Sequence, residues 1–280
     1  MAGERARGLV ELTRAGNSIA AGFLTFIGAF VATGFDHPLM IVAAVVATIL
    51  ATGAGNAIND YFDREIDRIN QPDRAIPRGA VSPREALWFS IVLFALAVVL
   101  VLTLPVAAIV IAVVNLFALV AYTKLFKGLP GVGNVVVGYL TGSTFLFGAA
   151  AVGELGGAVL VLFAFAGLAT VAREIVKDVE DVGGDREEGL NTLPIAIGER
   201  RALLVALIVL ALAVIASPLP YLRGTFGLAY LVLVIPCDAL MLYSAQRGFS
   251  DPTASQSYLK YSMYLTAVVF VVGRTSVLLG

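Results

Sequence analysis

Cysteine, histidine and charge are all scarce in this chain. Of 280 residues one is Cys, one is His, one is Trp, and only 14% are charged. The lone Cys237 excludes an internal disulfide and reads as a small buried apolar residue. The lone His37 sits between Asp36 and Pro38 in a short outer turn, where it reads as a turn or surface residue. A soluble domain averages about 25% charged residues, so this chain has too little polar surface to cover itself in water. The net charge of −1 by itself says nothing about partners; no nucleic-acid partner is expected. The first apolar run lacks the short core and small-residue cleavage site of a secretory signal. It is expected to be retained.

What the chain has in abundance is apolar sequence. Hydrophobic residues make up 59% of it, and mean hydropathy is +0.91. Apolar runs long enough to cross a bilayer as helices recur along it. Nine spans are expected, at residues 18–34, 39–58, 86–103, 106–121, 135–152, 158–172, 202–218, 226–243 and 261–279. With an inner N-terminus, seventeen of the nineteen basic residues fall on one side, leaving Arg223 and Arg274 opposite. The positive-inside rule then places the N-terminus in the cytoplasm and the C-terminus outside. Trp88 and the Tyr residues at span ends fit interface anchoring. The expectation is an all-α, multi-pass protein of the cell membrane, forming one domain over residues 1–280 among membrane lipids.

Two inner connections are long and polar, residues 59–85 and 173–201, and long loops in a compact bundle are usually functional. They share a spacing. The first reads Asp60-x-x-Asp63-x-x-x-Asp67, the second Asp178-x-x-Asp181-x-x-x-Asp185. Each follows an even-numbered span, so both emerge on the same side, and spans one to four and five to eight could form an internal repeat. If the second span continues past the membrane edge, Asp60, Asp63 and Asp67 share one helical face with Asn59 close by. Pro72 should end that helix. In the second segment Gly183-Gly184 should break the helix before Asp185.

Clustered carboxylates need a cation. With no His or Cys nearby, an oxygen-only set suits Mg²⁺ or Mn²⁺ rather than zinc. Mg²⁺ is commonly held by a few carboxylates together with substrate phosphates, so two facing clusters would clamp a diphosphate. Basic side chains are interleaved with the acids or share their side: Arg64, Arg68, Arg74, Arg78, Arg173, Lys177, Lys124 and Lys127. They supply phosphate donors that acids cannot.

The stretch from Asn59-Asp60-Tyr61-Phe62-Asp63 to Asp67-Arg68-Ile69-Asn70 resembles the first Asp-rich motif of the UbiA superfamily of membrane prenyltransferases. Arg173-Glu174-Ile175-Val176-Lys177-Asp178-Val179-Glu180-Asp181, followed by Gly184-Asp185 and Asn191-Thr192-Leu193-Pro194, resembles its second. Tyr122-Thr123 through Lys127, with Gly133-Asn134, is similar to a third signature. The resemblance covers nearly the whole chain. It implies a nine-helix bundle around a central apolar cavity and Mg²⁺-dependent transfer of an isoprenoid from an allylic diphosphate. By that resemblance Asn59, Asp63, Asp67, Asp181 and Asp185 match the metal positions, with the four aspartates as catalytic residues. Arg68 and Lys127 match diphosphate contacts. Arg14 and Asn17 resemble an Arg-Pro-x-Asn start with Ala15 in place of Pro, and Arg74 to Gly79 departs from the common Arg-Pro-Ile-Pro-Ser-Gly.

Within the superfamily the second motif is most similar to that of archaeal enzymes joining geranylgeranyl diphosphate to geranylgeranylglyceryl phosphate. That acceptor is lipid-like and carries a phosphate, for which Arg74, Arg78, Lys124, Arg173 and Lys177, with Asp178 nearby, are the candidate surroundings. An aromatic quinone precursor or a chlorophyllide-type acceptor is the alternative, and a transporter of an anionic substrate the non-enzyme one. Asp238, an acid inside the eighth span, either lines the cavity or pairs locally. Asn115 is expected to make an interhelical hydrogen bond.

Overall fold

The computed structural model describes residues 2–279, the side chains of Ala2, Thr123 and Lys124 lying outside the described residues. Its helices follow in order: α1 (Ala2–Leu12), α2 (Ala15–Thr33), α3 (Pro38–Phe62), α4 (Arg64–Asn70), α5 (Pro83–Val101), α6 (Val106–Ala121), α7 (Val132–Ala151) and α8 (Gly157–Glu180). Then come α9 (Val182–Glu187), α10 (Leu193–Ile197), α11 (Glu199–Ala216), α12 (Leu219–Leu222), α13 (Leu228–Arg247) and α14 (Pro252–Leu278). Local sequence explains several starts. Ser82 and Glu85 close a capping box on α5 with Pro83 in its first turn, and Asp251 caps α14 before Pro252.

Among the described residues eight helical segments are long and apolar enough to cross a membrane. The fourth expected span is α6, which is shorter. At 1.5 Å per residue it reaches only about 24 Å of a core about 30 Å thick. A π-helical turn at Tyr122–Phe126 continues it. Pro105 caps α6, so the polar break after α5 falls where the sequence placed it.

Many of the buried helix contacts are made by small residues. Ala29, Ala54, Ala57, Ala172 and Ala206 are buried, whereas Leu96, Val99, Ile208, Ile215 and Val232 are exposed toward the lipid. Lipid tails are as apolar as leucine, so helices in a bilayer associate by close packing of small residues. α7 shows this most clearly, packing against α2, α6 and α8. A Cβ on Gly148 would sit 1.9 Å from the Thr25 carbonyl oxygen of α2, and one on Gly28 2.2 Å from the Phe145 oxygen of α7. On the α8 side, a Cβ on Gly142 would come within 2.5 Å of the Phe163 oxygen.

A cavity of about 770 Å³ opens inside the bundle, its walls drawn from α2, α3, α5 to α8, α11, α13 and α14. Leu24, Phe165 and Phe270 line it in the interior, and Asn17, Asn56 and Asn59 stand toward the end where the acidic segments begin.

Gly148→Ala should push α7 off α2, costing about 2 kcal/mol or more by overpacking. A thermal melt in detergent should show a clear fall. Gly156→Ala, which meets nothing within 4 Å, should melt with the wild type.

Candidate active site at the cavity mouth

The helix expected to run through the first acidic segment is instead bent. α3 ends at Phe62, Asp63 takes φ −84°, ψ 2°, and α4 begins at Arg64. The second segment repeats this backbone. α8 ends at Glu180, Asp181 takes φ −91°, ψ 2°, and α9 follows. The expected break at Gly183-Gly184 is therefore corrected: both glycines and Asp185 lie inside α9, and the bend precedes them. Hydrogen bonds carry each short helix onward, Asp67 N–H to the Asp63 oxygen and Asp185 N–H to the Asp181 oxygen, both 2.9 Å. The bend angles lie in the sparsely allowed bridge region where active-site residues recur. Identical spacing has produced identical bends, with the middle Asp of each motif at the hinge. α4 ends at Asn70, just before Pro72, as expected.

The hinge decides which acids turn inward. Asp60 and Asp67 are buried, while Asp63 is exposed. Arg14, at a left-handed φ of 45° between α1 and α2, donates to Asp60 at 2.8 Å. Arg74 donates to Asp67 at 2.7 Å and lies 3.6 Å from Asp60. Two arginines from separate segments thus neutralise two buried carboxylates.

Around the second motif, Asn134 at the start of α7 is buried and donates to Asp178 at 2.7 Å. Tyr122 is within electrostatic reach of Glu174, Asp178 and Asp185. Burial raises the carboxyl pKa of Asp185, and the charges of Asp181 and Glu188 push the same way. The Thr192 hydroxyl and Lys177 oppose that shift. Lys177 stands 3.9 Å from Asp181, and Lys127 3.9 Å from Glu188. The Asn191 N–H bonds the Gly128 oxygen at 3.1 Å, so the third signature packs directly on the second motif.

Not every expected residue joins the mouth. Arg68 pairs with Glu65 at 2.8 Å on the exposed side of α4. Arg78 is spent on Glu11 and the Asp73 carbonyl, both 2.6 Å, clamping α1 to the loop. In this geometry neither of the two lines the cavity, and each is engaged by its own local partners. Lys124 lies outside the described residues. Arg173, by contrast, lines the cavity and bonds Glu174 at 2.7 Å and Gln256 at 3.1 Å. Asn17 and Asn59 line it too, so the N-terminal segment and both motifs reach one cavity.

Among the described residues no group of three or more His, Cys, Asp or Glu side chains lies close enough to hold a metal ion. The expected ligands do not form a closed cage in this geometry. Their chemistry still fits a hard divalent cation: oxygen donors only, with two exposed carboxylates, Asp63 and Asp181, at matched hinges. Asn134, Tyr122, Gln256 and Lys260 sit at or near the site without having been singled out for it. Asn134 and Tyr122 were flagged only as parts of a signature, and no local spacing marks Gln256 or Lys260. Deeper in the cavity Asp238 does both things considered for it, lining the wall and accepting from Ser217 at 2.5 Å. Asn115 also lines the wall, but its Oδ1 is buried with no hydrogen-bond partner.

Comparison with known proteins follows this geometry. Residues 21–268 match the UbiA prenyltransferase family. The chain is 65% identical over 274 residues to digeranylgeranylglyceryl phosphate synthase of Natronomonas pharaonis, covering 98% of this chain and 99% of that protein. It is 43% identical to the synthase of that name from Thermococcus kodakarensis, covering 95% and 97%. A solved structure of digeranylgeranylglyceryl phosphate synthase superposes with a TM-score of 0.82 at 39% identity, covering 98% and 99% of the two chains. A UbiA homolog from Archaeoglobus fulgidus bound to GPP and Mg²⁺ shares the fold, with a TM-score of 0.72 at 18% identity and 98% and 100% covered.

Arg74→Met leaves Asp67 without its partner and Asp60 with only one. Because Arg74 is a third exposed, the loss should be about 2 kcal/mol, below the range for a fully buried pair. Arg68→Met should cost under about 0.5 kcal/mol. Thermal denaturation of the two variants in one detergent reads the difference.

Proposed function

Because this chain belongs to the UbiA prenyltransferase family, we infer that it transfers a geranylgeranyl group from geranylgeranyl diphosphate to the hydroxyl of geranylgeranylglyceryl phosphate. The product carries the second ether bond of an archaeal membrane lipid. The observation that carries this reading is the pair of acidic motifs, each bent at its middle Asp, at the mouth of an apolar cavity. Near-complete coverage by relatives that carry this activity in their name supports the acceptor.

Asp63, Asp67, Asp181 and Asp185, with Asn59, are the residues that would hold Mg²⁺. When bound, the metal neutralises the diphosphate and makes it a better leaving group. Lys177 and Lys127 stand beside the second motif as phosphate donors. The allylic C–O bond breaks as charge builds on the diphosphate, and the acceptor hydroxyl oxygen closes on the same carbon and gives up its proton. Leu24, Phe165 and Phe270 keep water from the developing carbocation and take up the prenyl chain. The protein works as one membrane-embedded domain in the cell membrane, with its N-terminus and both acidic segments in the cytoplasm. The lopsided distribution of Arg and Lys supports that orientation.

Incubation with labelled geranylgeranyl diphosphate and Mg²⁺ should convert geranylgeranylglyceryl phosphate and leave 4-hydroxybenzoate unchanged. EDTA should abolish turnover. Asp63→Ala and Asp181→Ala, at exposed hinges, should each lower kcat at least about a hundredfold while melting near the wild type. Normal turnover in both would falsify the metal assignment.

On a Cys237→Ser background, single cysteines at Asp73 and Glu187 should both react with an impermeant maleimide only from the cytoplasmic face. Labelling of the pair from opposite faces would defeat the shared-site geometry.

A further inference from the structure

One cation on the cavity wall has no role in the clamp. Gln256, Lys260 and Tyr264 follow one another at intervals of four along α14, so they form one stripe. Lys260 and Tyr264 line the cavity. The upper end of the stripe is pinned, since Arg173 on α8 donates to Gln256 Oε1 at 3.1 Å. Lys260 lies one turn deeper. Its Nζ stands 5.9 Å from the centre of the Tyr264 ring and makes no ion pair among the described residues. The other charged groups on this wall are engaged: Arg173 with Glu174, and Asp238 with Ser217. Arg14 and Arg74, on the far side, are already matched to Asp60 and Asp67.

A lone ammonium in a largely apolar cavity is costly unless an anion meets it. Arg173 adds to this, because its Nε is buried with no hydrogen-bond partner. α14 packs on α8, α13 and α2, whereas α3 packs on α2, α5 and α7. The Lys260 stripe and the first acidic motif therefore belong to different walls of the cavity. Two anions held apart in this way suit a reaction between two anionic lipids, one bearing a diphosphate and one a phosphate.

We propose that Lys260, with Arg173 and Gln256, forms the subsite for the phosphate monoester of the acceptor lipid, separate from the diphosphate clamp. This rests on the prenyl-transfer reading above and deepens it. The ammonium supplies the charge, and the guanidinium and the Gln256 amide supply directed donors around it. Held there, the acceptor's glyceryl hydroxyl is kept near the mouth and its own chain follows the apolar wall.

The test uses the full-length protein in lipid nanodiscs with Mg²⁺ and compares geranylgeranylglyceryl phosphate with geranylgeranylglycerol. Lys260→Met should raise KM for the phosphorylated acceptor about tenfold or more, the scale of one lost charged hydrogen bond. KM for geranylgeranyl diphosphate should stay within about twofold, and the preference for the phosphorylated acceptor should shrink by the same factor. Lys260→Arg should restore most of it. Acceptor binding measured by calorimetry without any diphosphate should weaken in parallel. An equal loss with both acceptors, or a loss confined to the diphosphate, overturns the subsite. If the wild-type protein neither binds nor prenylates the phosphorylated acceptor, the proposed reaction itself fails. If it does both and Lys260→Met does them equally well, only this subsite fails.

Discussion

Everything at the mouth depends on how closely α7 can approach its neighbours. In a bilayer no hydrophobic gradient drives one helix against another, so the energy comes from packing and from the polar contacts that close packing permits. The missing side chains at Gly28, Gly142 and Gly148 let backbone meet backbone where any Cβ would collide with a carbonyl. That approach fixes α7 between α2 and α8, and with it the position of Asn134. From there Asn134 reaches Asp178 on α8. A packing rule in the middle of the membrane thus sets the aim of an acidic motif at its edge.

The mouth is organised by a second constraint, the cost of holding several carboxylates near a low-dielectric interior. The chain meets it by division. Asp60 and Asp67 turn inward and take Arg14 and Arg74. Asp63 and Asp181 stay at exposed hinges, where water can hydrate their charge. The hinge is what makes this division possible. On an unbroken helix all three acids of a motif would share one face and one environment. With a bend at the middle residue, the outer two and the middle one have separate surroundings.

The cavity divides the work along its depth. Polar side chains gather at one end, where charge must be managed, and aromatic and aliphatic walls continue inward, where a reactive carbocation must not meet water. The fold itself is shared with a protein only 18% identical. What differs between two such chains lies in residues that the fold positions but does not require.

Much of this was legible in the sequence. The apolar runs, the asymmetry of Arg and Lys and the shared Asp spacing follow from local composition, and they were enough to define the membrane class, the eight long apolar helices and the two acidic segments. What the tertiary structure alone decided is which charges meet. Arg14 and Asp60 are 46 residues apart, and Asn134 and Asp178 are 44 apart. No periodicity links positions so distant. Arg68 and Arg74 both looked like substrate contacts, yet Arg68 pairs with Glu65 on the exposed side of α4, whereas Arg74 meets the buried acids. The bend at the middle Asp could not be read in advance, because Gly183-Gly184 offered a stronger local signal for the second motif than Asp181 did. Lys260 looked like one more inner basic residue, and only the meeting of α8 and α14 at one wall sets it apart. Composition determines where a chain must lie relative to lipid, because transfer energies add residue by residue. Pairing depends on the few ångströms between side chains from distant segments, and only the packed bundle sets those.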